Sequence, residues 1–102
     1  MPDSQDLDSF IGSSFRSVWA LELLKHLAGN PGVYHSADEL VAALRASEAV
    51  VSQSVHKLEA AGLAVVDTDG RVAYHDGPSA ALVSAAIELY ARRPDKVRRL
   101  II

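Results

Sequence analysis

Within residues 52–57 of this 102-residue chain stand Ser52, Gln53, His56 and Lys57, a run of donors, acceptors and one fixed cation. These side chains recognise other molecules by hydrogen bonds and charge. The residues that break bonds are harder to find. There is no cysteine, which removes disulfides, zinc–cysteine sites and thiol chemistry, and fits a reducing compartment. His26, His35, His56 and His75 are never three or four apart, the spacing that sets two ligands on one helix face, so no metal is expected. The stretch GNPGVYHS lacks the lysine of a phosphate-binding loop, and no G-x-S-x-G occurs. Asp38-Glu39 follows Ser36 as a helix-capping box should, which accounts for the acids without acid–base work. The sequence points away from an enzyme, and no cofactor is expected.

The elements that must position this set can be read from periodicity and breakers. Asp3, Asp6 and Asp8 mark residues 1–12 as an acidic, mobile arm. Ser13 or Ser14 is placed to cap a first helix carrying Phe15, Val18, Trp19, Leu23, Leu24 and Leu27, and Gly29-Asn30-Pro31-Gly32 ends it. Val33-Tyr34-His35 is a stub of strand at most. Ser36 caps a second helix to about Leu44, with Leu40, Val41 and Leu44 inward. Ser47 caps a third from Glu48 to about Ala61, ended by Gly62, with Val51, Val55 and Leu58 inward. A two-residue turn at Asp69-Gly70 predicts a hairpin pairing Val65 with Tyr74 and Thr68 with Arg71. Ser79 to Ala91 reads as a fourth helix, and residues 93–102 as a basic tail with a last turn or short helix.

Bulk properties narrow the class. The chain is 49% apolar and 23% charged, which suits one folded domain rather than a disordered segment. The N-terminus has no apolar core of a signal peptide and no run approaches a membrane span, so a soluble cytoplasmic protein is expected. The net charge of −3 weighs against a nucleic-acid partner, since such domains are commonly basic. Residues 52–75 hold two fixed cations, Lys57 and Arg71, against Glu59, Asp67 and Asp69.

The order helix, short strand, helix, tight turn, helix, hairpin, helix resembles the winged helix-turn-helix, in particular bacterial ArsR-like and MarR-like regulators. The resemblance is carried by Ser36 to Leu44, by Ser47 to Leu63 with its LEAAGL, and by DTDGRVAY, and it covers about residues 13–92. It implies a mainly α fold with a small β-hairpin wing, and a homodimer joined by the first and last helices. Phe15, Trp19, Leu82, Val83, Ile87 and Tyr90 are the expected dimer residues. It further implies that the third helix enters the major groove of double-stranded DNA. Ser52, Gln53 and His56 would then face bases, with the Gln53 amide suited to adenine. Lys57, Arg71, Ser36 and Ser47 would face backbone. The plain alternatives stay open: Ser52, Gln53 and His56 as solvated polar residues, and Arg71 paired with Thr68 or Asp69. Val50 and Glu48 depart from the polar, phosphate-tolerant surface such a helix usually carries. The competing expectation is an acidic winged helix that binds a protein and not DNA.

Overall fold

The computed structural model describes residues 3–101; residues 1, 2 and 102, parts of the expected arm and tail, lie outside them. Six helices and one hairpin follow in order: α1 (Ser4–Ser14), α2 (Val18–Ala28), α3 (Ala37–Leu44), α4 (Glu48–Ala60), β1 (Ala64–Val66), β2 (Val72–Tyr74), α5 (Ala80–Arg92) and α6 (Pro94–Ile101). No helix among the described residues is long and apolar enough to cross a membrane.

The N-terminal segment departs from the expected mobile arm. Asp3 caps α1, its carboxylate accepting from the Gln5 amide at 3.2 Å. Leu7, Phe10 and Ile11 recur at helical spacing, and Ile11 is fully buried. Acids hide this stripe in the sequence, and the surface that covers it comes from α5 and α6, far along the chain. Ser13 caps nothing: its hydroxyl donates back to the Ser9 carbonyl at 2.8 Å, inside α1. Phe15 takes extended backbone and ends α1, its ring meeting Phe10 edge-on with centroids 5.9 Å apart. Ser17 then caps α2, accepting from the Ala20 amide.

α2 lies at the centre, with Ala20, Leu21, Leu23, Leu24 and Leu27 buried. It packs on α3, α4 and β2. On the other side α1, α5 and α6 pack on one another. α1 and α6 approach closely at Gly12, where a Cβ would stand 3.3 Å from the Leu100 carbonyl oxygen. Pro94 opens α6, a position that has no helical partner for an amide in any case. Val97 is fully buried in the same core as Ile11, so the expected basic tail is a docked helix through Ile101.

The hairpin forms one residue out of the expected register. Ala64 pairs with Tyr74, Val65 with Ala73 and Val66 with Val72. The cause is Asp67. Its carboxylate accepts from the Asp69 and Arg71 amides at 2.9 and 2.8 Å, and the Asp67 amide donates to the Arg71 carbonyl at 2.9 Å. The loop is therefore three residues, Thr68-Asp69-Gly70, with Gly70 left-handed at φ +80°, a standard alternative to the two-residue turn. A one-residue slip exchanges faces: Val65 now shares a face with Ala73, and Val72 and Ala73 are both buried. The stub at His35 does pair, exchanging two 2.8 Å backbone hydrogen bonds with Val72 at the edge of the hairpin.

Candidate nucleic-acid interface

Two serine caps and one left-handed residue set the angle between α3 and α4. Ser36 Oγ accepts from the Glu39 amide at 3.1 Å, and Ser47 Oγ accepts from the Val50 amide at 3.2 Å. The return half of the box at Ser36 is replaced, because Glu39 Oε2 lies 3.4 Å from Nδ1 of the buried His35. Between the helices stands Arg45, a non-glycine residue at φ +53°, which turns the chain within three residues. Gly62 at φ +76° ends α4 and leads into β1.

α4 turns Val51, Ser54 and Leu58 into the core and half-buries Val55. Ser52, Gln53 and His56 are exposed, and Lys57 is half-buried. All four lie on the outer side of α4, but Gln53 and Lys57 border its α2 flank and Ser52 and His56 its wing flank. Ser54 is the addition: it is buried where the apolar pattern alone marked only Val51, Val55 and Leu58.

The two flanks of α4 differ in charge. On the α2 side, a cleft of about 300 Å³ is lined by Arg16, Ser17, Trp19, Val50, Gln53 and Lys57, and by no carboxylate. Neither Arg16 nor Lys57 makes an ion pair among the described residues. On the wing side, a groove of about 490 Å³ has Val41, Val55 and Val66 on its walls, with Ser52, His56, Glu48 and Glu59 and, among the described residues, no lysine or arginine. Arg71 is exposed, but its guanidinium is engaged: Nε lies 3.0 Å from Asp67 Oδ2 and Nη2 lies 3.4 Å from Asp69 Oδ2. Desolvation alone would raise the Asp67 pKa. The Arg71 and Asp69 amides and the Arg71 charge outweigh this and hold the carboxyl below its usual value. Arg16 escaped the sequence reading because the expected first helix runs through it from Ser13 or Ser14. Ser17, which caps α2 just after it, was the local signal.

Of the expected dimer residues, Trp19 borders the α2 side of this surface and the others lie apart from it. Phe15 and Val83 are buried in the chain's own core and Tyr90 nearly so, because α1, α5 and α6 cover them. Trp19 is 40% exposed, and Leu82 and Ile87 are half-buried. The histidines are dispersed. His26 and His35 rings lie 5.0 Å apart, His75 Nδ1 donates to the Gly62 carbonyl at 2.8 Å, and His56 stays exposed. No group of three or more possible metal ligands occurs among the described residues.

A helix pair joined by a tight turn, followed by a hairpin packed beside the second helix, is a winged helix-turn-helix; α4 stands in the recognition position and residues 67–71 form the wing tip. The chain belongs to the MarR family, whose profile matches residues 17–72, from the cap of α2 to the first residue of β2. It is therefore a winged-helix domain of a family of transcription regulators. No curated protein and no solved structure matches it.

Proposed function

We propose that the chain is a small DNA-binding transcriptional regulator that works as a homodimer. The observation that carries this reading is the exposed row Ser52, Gln53 and His56 on α4 of a MarR-family fold. In a winged helix that surface enters the major groove, where a glutamine amide pairs with adenine and serine and histidine donate or accept. Lys57 holds backbone. Ser36 and Ser47 each use an oxygen lone pair for capping and keep a hydroxyl hydrogen for a phosphate. Leu82 and Ile87 are half-buried and keep part of their apolar surface for a second copy. Regulation would follow from occupying a promoter, with no catalytic step.

A second reading has its own support. The groove between α4 and the wing carries Glu48 and Glu59 over valine walls, a surface suited to a basic, partly apolar segment of a protein. The test that separates the two is retention of fragments of the source genome on the purified protein at low salt, repeated at higher salt. Enrichment of a few sites that persists as salt rises supports the regulator. Retention without enrichment, lost steeply with salt, leaves charge-driven contact alone. No retention turns the function to a protein partner at the acidic groove.

A further inference from the structure

The charge on this surface is segregated across α4, and the segregation assigns a phosphate site that the wing does not share. We propose that the α2–α4 cleft holds a backbone phosphate of bound duplex DNA between Arg16 and Lys57, and that Arg71 at the wing makes no such contact. The inference rests on the DNA-binding reading above.

The cleft side has what an anion needs. Arg16 is exposed, Lys57 lines the same space, and neither is paired with a carboxylate among the described residues. Arginine presents a planar fork that matches two phosphate oxygens, and lysine adds a point charge. The Ser17 oxygen already accepts from the Ala20 amide, which leaves its hydrogen to donate. Gln53 borders the same cleft, so a phosphate fixed there sets the register in which the amide meets a base.

The wing side lacks these features. Arg71 is held by Asp67 and Asp69, and Asp67 is fixed in turn by the Asp69 and Arg71 amides. A phosphate near that guanidinium meets two carboxylates at the tip and Glu48 and Glu59 in the groove behind it. Releasing Arg71 would also strip the turn of an ion pair. The duplex backbone therefore gains attraction at the cleft and repulsion at the wing.

The test uses the full chain and a short random-sequence duplex, with affinity measured over a range of salt. Arg16→Ala and Lys57→Ala should each lower the slope of log affinity against log salt by about one per bound chain. Arg16→Lys should restore most of that slope, and Arg71→Ala should leave it unchanged. Melting temperatures of the variants check that each is folded. An unchanged slope in Arg16→Ala, or a fall in Arg71→Ala equal to that in Arg16→Ala, overturns the assignment while leaving DNA binding standing. Failure of the unaltered chain to bind the duplex at low salt overturns both.

Discussion

The Tyr90 hydroxyl donates a 2.7 Å hydrogen bond to Glu22 Oε1, tying α5 to α2. Partial burial, and then the carboxylate as acceptor and as a negative charge, push the Tyr90 pKa up; Arg98 opposes the shift and is outweighed. The bond joins the helices around α1 and α6 to the half of the fold that carries α4. Tyr90→Phe keeps the ring and removes the bond. Glu22 lines an open cleft and can rehydrate, so the loss should lie at the low end for a bond to a charged group, about 1.5 kcal/mol. Thermal melting should show a drop of about 4–8 °C per kcal/mol in a domain of this size.

Ile11 tests whether α1 is an arm or a wall. It is fully buried, and α1 packs on α5 and α6. Ile11→Ala should cost about 2–5 kcal/mol, as other buried aliphatic truncations do. Denaturant unfolding measures it. A cost below about 0.5 kcal/mol, the usual scale for surface changes, would restore the mobile arm.

The helix caps show what the sequence made legible. Ser36, Ser47 and Gly62 act through neighbours within four residues, so the bounds of α3 and α4 could be read locally. The outward position of Ser52, Gln53 and His56 followed from the same spacing. Ile11 and Val97 are buried by each other's helices from opposite ends of the chain, a contact that no local pattern encodes. The hairpin slipped by one residue because Asp67 offers its carboxylate to two amides of the turn, and Asp69-Gly70 alone does not reveal that. Phe15 and Val83, expected at a subunit interface, were apolar on wide stripes; the sequence could not say that the same chain covers them.

The wing turn depends on Gly70 and on a charged Asp67. Gly70 sits at φ +80° with open space around it, so Gly70→Ala should destabilise by about 1–2 kcal/mol through backbone strain alone. The Asp67 carboxyl titrates below its unfolded value of 3.8. Its contribution is therefore fully present above that value and is lost as pH falls through the lower folded one. Asp67→Asn keeps an oxygen for the two amides and removes the charge. Amide exchange or melting followed below pH 4 should show a flatter acid limb in Asp67→Asn than in the unaltered chain, with the two curves parallel at neutral pH.

Arg45 carries a cost that the fold tolerates. A non-glycine residue at φ +53° occupies the position where helices most often end on glycine. Its side chain is exposed and makes no ion pair among the described residues. Arg45→Gly should raise stability by about 0.5 kcal/mol, since the steric relief of about 1–2 kcal/mol exceeds the extra chain entropy glycine brings to the unfolded state. Thermal melting measures the change.

The proposed base-reading set makes a prediction about discrimination, not strength. Gln53 and His56 are exposed on α4, and neither is needed by the core or by a cap. Each well-aligned base contact discriminates by about 1–3 kcal/mol, whereas phosphate contacts act alike on every sequence. Once a preferred site is known, Gln53→Ala with His56→Ala should lower affinity for that site by about tenfold or more while affinity for random duplex changes little. Competition between the two duplexes at one salt concentration measures the ratio directly. An equal loss on both would place these side chains on backbone and move sequence reading to another part of α4, with Ser52 and Ala49 the next residues on the exposed face.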